Sequence, residues 1–187
     1  MPSFIRAALT LAISACTVIP SAQAVDNTEE IKRIKAQARA AHPNDQIAQD
    51  AAINKGMTNL VAKQTGNPKE TATILFLGYY MKNYHGIPVV CSQQGVTMTG
   101  FPEAFAAANH DMVIATRKML DTPGLRAHLK ELAGPAARRE LNSFAEAEKT
   151  DLKGACSFLE KNAQGIAVRT AFAKILPAQY QVLAGSK

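Results

Sequence analysis

Apolar residues along this chain recur mostly at steps of three and four, the spacing of helices with one buried face. Ile31, Ile34, Ala38 and Ala41 open the series, with Asp26 and Glu29 set as a capping box at its start and His42-Pro43 at its end. Asn44 or Asp45 caps a second helix that carries Ile47, Ala51, Met57, Leu60 and Val61 inward and closes at Gly66. Asn67-Pro68 opens a third, with proline at the first helical position, where its missing N–H costs nothing. This third segment contains the run Ile74 to Met81, too apolar for periodicity alone to separate a buried strand from a buried helix. The capped start, the length from Pro68 to Tyr84 and a stop at Gly86 favour a helix, and make it the central element.

From Ile87 to Gly100 the character changes to a short hairpin or irregular loop, the one β-leaning stretch. Then Phe101, Phe105, Ala108, Met112, Ala115 and Met119 alternate at four and three, while Glu103, Asn109 and Lys118 face elsewhere. Thr122-Pro123 starts a short helix through Leu125, Leu129 and Leu132 that ends at Gly134, and Pro135 starts another with Leu141 and Phe144 inward. After a break near Thr150, Leu152, Ala155, Leu159 and Ala163 share a face. Gly165 then precedes a last helix from Ile166 to Leu176 that Pro177 ends. The pattern predicts an all-α, irregular, single-domain bundle of six to eight helices with one β-leaning or irregular loop at 87–100.

The first residues follow a different logic. Arg6 supplies a positive start, Ala7 to Ile19 is apolar, Pro20 breaks it, and Ser21-Ala22-Gln23-Ala24 offers the small-x-small pattern of signal peptidase. This run of thirteen residues, interrupted only by Thr10, Ser14 and Thr17, falls short of the ~20 that span a bilayer. A cleaved secretory signal over 1–24 and a single helical domain over 25–187 are therefore expected, placing the protein in the periplasm or outside the cell. The minor alternative is lipidation at Cys16, within the lipobox-like Ile13-Ser14-Ala15-Cys16.

Export changes the reading of the cysteines. Cys16 leaves with the signal, and Cys91 with Cys156 forms an even pair in an oxidising compartment, predicting a disulfide that closes a loop of 66 residues. A reactive Cys91 paired with a histidine is the competing reading. The mature chain carries 20 basic and 15 acidic residues, spread without a long run. Lys32-Arg33-Lys35, Arg138-Arg139-Glu140 and Glu146-Glu148-Lys149 read as solvated helix faces. Aromatic and basic residues do not interleave on one face, so no nucleic acid is expected.

Motifs of catalysis are missing: there is no G-x-S-x-G, H-E-x-x-H, P-loop or haem-attachment pattern. Tyr80 and Tyr84 lie four apart on a helix with His85 beside them. They form either a wall for a ligand or partner, or a rim with buried rings and wet hydroxyls. His110 and Asp111 point about 100° apart, so they cannot orient one another. Met57, Met81, Met98, Met112 and Met119 suit a core better than a metal or haem site. No cofactor and no metal are expected. The function expected is that of a non-enzymatic exported protein that binds another envelope or secreted protein, as an inhibitor or immunity factor, a chaperone, or an accessory subunit of an envelope machine. A small-ligand, metal or haem carrier, or an enzyme built around His85 or His110, is the alternative.

Overall fold

The computed structural model of the chain describes residues 28–185; the expected signal over 1–24, Cys16 and the Asp26 cap lie outside them. The described residues form α1 (Thr28–Ala41), α2 (Gln46–Thr65), α3 (Pro68–Met81), a π-helical turn (Lys82–Gly86), α4 (Ile87–Ser92), α5 (Gly100–Ala108), α6 (His110–Leu120), α7 (Pro123–Ala147), α8 (Leu152–Lys161), α9 (Ala163–Arg169), α10 (Phe172–Ile175) and α11 (Pro177–Ala184). The all-α class holds, with more helical pieces among the described residues than the expected six to eight.

The first boundaries follow from local chemistry. The Asp45 carboxylate accepts from the Ala48 N–H (3.0 Å), and Gly66 ends α2 at φ 65°, a backbone conformation that disfavours any Cβ. Asn67 caps α3 by accepting from Lys69 N–H (2.9 Å) and Glu70 N–H (3.3 Å). Every residue from Thr71 to Met81 is buried, so α3 is the central helix its sequence announced. The core around it runs from Val61 to Leu183 and includes Phe76, Phe101, Phe105, Leu141, Leu159 and Phe172.

Gly86 and Pro88 do not stop this helix, and residues 87–92 are helical rather than β-leaning. Proline at 88 has no N–H for the Tyr84 carbonyl, and its ring crowds that carbonyl in a regular α-helix. The turn before it widens instead: the Ile87 N–H donates to the Lys82 carbonyl, five residues back, and the helix passes through. Only 93–99 is irregular, with the Cys91 carbonyl accepting from Gln94 (2.9 Å) and Val96 (3.0 Å).

Gly86 has a long-range role. A Cβ there would overlap the backbone carbonyl of Ala133 on α7. Glycine thus lets the π turn and α7 cross at backbone contact. Gly86→Ala should cost about 1–3 kcal/mol in urea unfolding, because a backbone carbonyl cannot move aside as a side chain can. Gly124→Ala, with nothing within 4 Å, should be neutral or stabilising by about 0.5 kcal/mol. Equal effects would mean that the crossing is looser than described.

Three other proline and stripe readings are corrected. Pro135 lies inside α7, on its exposed side, where water can satisfy the Glu131 carbonyl. Leu129, Ala133, Ala137, Leu141 and Phe144 keep one buried face through it. The apolar stripe breaks at Asn109, which is buried: its Nδ2 donates to the Phe105 carbonyl and its Oδ1 accepts from Phe172 N–H, both at 2.8 Å. Past this break Thr116 turns inward and Ala115 outward. Pro177 starts α11 instead of ending its predecessor. The N-terminus of α5 is held from a distance, by the Glu160 carboxylate of α8 accepting from Thr99 (3.1 Å), Gly100 (2.8 Å) and Phe101 (3.0 Å). Cys91 and Cys156 form the expected disulfide, with Cα atoms 5.5 Å apart.

Candidate functional site

The π turn divides its residues between two environments. Lys82, Asn83 and Gly86 are buried, while Tyr84 is exposed and His85 half-buried. A wider turn of this kind adds one residue to the helix without unwinding it, and such turns are frequent at functional sites.

On the inner side sits a charged pair that the sequence pattern did not reveal. Lys82 Nζ donates to Glu140 Oε2, with both side chains almost wholly buried. The ammonium also lies 5.1 Å from the centre of the Tyr79 ring. Tyr79 donates its hydroxyl to the Thr170 carbonyl, and Asn83 Nδ2 donates to the Tyr79 carbonyl (2.9 Å). Asn83 Oδ1 and Glu140 Oε1 are buried and accept from no group among the described residues. Burial pushes the Glu140 carboxyl above its usual range, and Lys82 pulls it back only in part. Glu140 is thus no solvated charge, unlike its exposed neighbours Arg138 and Arg139. Its spacing of three and seven from Ala137 and Ala133 on the buried face was the available signal.

On the outer side the predicted Tyr80, Tyr84 and His85 do come together. Tyr80 and Tyr84 stack with centroids 5.1 Å apart and planes 11° apart. The stack continues inward: Tyr80 meets Phe76 at 5.5 Å, and Phe76 meets Phe172 at 5.2 Å. Phe172, Phe76 and Tyr80 are buried, whereas Tyr84 is 43% exposed. An aromatic column therefore rises from the core and ends at the surface. Burial, with Tyr84 alongside, pushes the Tyr80 phenol up to about 12, so it stays neutral. His85 is held below the usual imidazole range by burial and then by the Lys130 and Arg126 cations of α7. Below the column the exposed side continues with Val89, Ser92 and Gln93, and Arg138 of α7 donates to the Gln93 side-chain carbonyl.

The other candidates lie apart from this turn. His110 and Asp111 are exposed on the first turn of α6, at a shallow cavity of about 170 Å³ shared with Tyr180. Asp111 also borders a cavity of about 360 Å³ formed by Lys69, Thr73, Met112, Ile114, Tyr180 and Leu183. Met57, Met81, Met98 and Met112 are buried core residues, and Met119 is half-buried. Among the described residues no group of three or more His, Cys, Asp or Glu is placed to hold a metal ion. None of their helices is long and apolar enough to cross a membrane. Comparison with protein-family models, with curated proteins and with solved structures finds no match for the chain.

Proposed function

We propose that this is an exported helical protein that works by binding another protein, through the face formed by Tyr84, His85 and Val89. The observation that carries the reading is the column Phe172–Phe76–Tyr80–Tyr84. A tyrosine stacked on a buried partner is already fixed, so docking against it loses little side-chain entropy. Tyrosines of this kind supply much of the binding energy at protein interfaces. Val89, 37% exposed, adds apolar surface one turn along. The disulfide supports export, since such bonds persist where thiols are not kept reduced. The roles this reading covers are an inhibitor or immunity factor, a chaperone, and an accessory subunit of an envelope machine.

The test compares capture from envelope extract by the wild-type residues 25–187, by Tyr84→Ser and by Ile114→Ser. Ile114 is also exposed, but on α6. A protein held by the wild type and by Ile114→Ser should bind Tyr84→Ser roughly 30-fold more weakly, the loss of one central anchor. The unfolding midpoint of Tyr84→Ser should fall by only about 2–5 °C, the loss of one half-exposed ring stacked on Tyr80. Undiminished binding by Tyr84→Ser would remove this face from the function. The cavity of about 360 Å³ beside Asp111 supports a second reading, carriage of a small ligand. Native mass measurement of protein taken from the envelope, showing a bound small molecule, would favour it.

A further inference from the structure

We infer that the partner segment seated on the Tyr84–Val89 face is acidic: an apolar side chain of it packs on Tyr84 and Val89 while its carboxylates reach Arg126, Lys130 and Arg138. This rests on the protein-binding reading above and adds the chemistry of the partner. Three observations carry it. First, α7 crosses the π turn where Gly86 meets the Ala133 carbonyl. Lys130 and Arg126, exposed on the turns of α7 before that crossing, are the cations whose fields reach His85, so positive charge borders the face on that side. Second, Arg138 borders it again near Gln93, whose neutral side-chain carbonyl holds the guanidinium without neutralising it. Third, the neighbouring acids of α7 are turned elsewhere: Glu140 is buried against Lys82, and Glu131 lies 3.9 Å from His128. Among the described residues none of Arg126, Lys130 and Arg138 has a carboxylate within ion-pair distance.

The face is therefore of one sign around an apolar centre. Such a surface speeds encounter with an opposite charge and disfavours partners of like charge. An anionic membrane surface would also be attracted by cations. Recognition of that kind rests on four to eight clustered Lys or Arg, however, and a rigid tyrosine column adds nothing to it. A protein segment uses both the column and the rim.

The experiment places a photoreactive phenylalanine analogue at Val89, or at Val168 as the control, in the full chain made in its own cells. Val168 is 51% exposed on α9. Illumination is followed by mass identification of the linked molecule and of the linked segment within it. The Val89 probe should give one protein adduct through an Asp- and Glu-rich segment, and the Val168 probe should not. Adding Arg126→Glu and Lys130→Glu to the Val89 probe should reduce the yield on the order of tenfold, as should raising salt in extract from about 50 to 300 mM. The salt series needs no charge-reversed protein, so it stands even if that variant folds poorly. A protein adduct through a neutral or basic segment, with a yield indifferent to salt, would overturn the acidic partner and leave the protein-binding face standing. A phospholipid or glycolipid adduct, equal adducts from both probes, or no adduct at Val89 would overturn both.

Discussion

Lys82→Met is expected to lower the stability of this protein by about 3–5 kcal/mol at neutral pH, because it leaves the Glu140 carboxylate buried without its cation. For a chain of this size that corresponds to a fall of roughly 10 °C in the unfolding midpoint. The loss should depend on pH in a definite direction. Burial already pushes the Glu140 carboxyl above its usual range, and without Lys82 the opposing pull is gone. In the unfolded chain the same group titrates near about 4.3. Between these two values the folded state holds a proton that the unfolded state lacks, so the stability of the variant falls as pH rises through that window. The gap between variant and wild type should therefore be small at about pH 4 and widen toward neutrality.

The second arm separates the worth of the pair from the cost of breaking it. Lys82→Met with Glu140→Leu replaces both charges by apolar groups of similar size, and the introduced thioether keeps a favourable sulfur contact over the Tyr79 ring. The double variant should lie within about 1 kcal/mol of the wild type, or above it. Urea unfolding of the two single variants and the double variant closes the cycle. Single losses under about 1 kcal/mol would show that water reaches the pair, and that its burial is less complete than described.

The pair is hidden in the sequence for a physical reason. Lys82 and Glu140 are 58 residues apart; Glu140 follows Arg138-Arg139 and reads as part of a solvated face, and no spacing rule pairs it with a lysine at the end of the apolar run. Local signals worked where the chemistry is local. The caps at Asp45 and Asn67, the stop at Gly66 and the break before the Asp151 cap depend only on adjacent residues. The Tyr80–Tyr84 stack was legible for the same reason, being a contact across one helical turn. Gly86 as a stop, Pro135 as a start, Pro177 as an end and the β-leaning reading around Pro88 misled because glycine and proline serve other purposes as well. Gly86 admits the Ala133 carbonyl, Pro88 is accommodated by a wider turn, Pro135 faces water, and Pro177 begins α11. Asn109 misled because its side chain bonds to Phe172, 63 residues on, which no spacing rule can register.

Breaking the disulfide is the second large effect expected, and it bears on both the fold and the proposed face. The bond joins residues 65 apart, and loop closure of that length restricts the unfolded chain by about 4 kcal/mol. Cys91→Ala with Cys156→Ala, or reduction of the wild type, should remove roughly that amount in urea unfolding. Helical content should persist, because the apolar faces of α3, α5 and α7 pack without the bond. The local effect should be uneven. Cys91 ties the end of α4 to α8, so amide exchange over 87–99 should rise more than in α3. Val89 lies two residues from Cys91, and capture of the partner should weaken along with that loosening, even where circular dichroism is unchanged. Before reduction the isolated protein should weigh two hydrogens less than the dithiol form and resist alkylation, both cysteines being fully buried. Prompt alkylation of both cysteines in the native, unreduced protein would show free thiols. The proposal of an oxidising compartment would then lose its support, and Val89 would stand on a segment held only by packing.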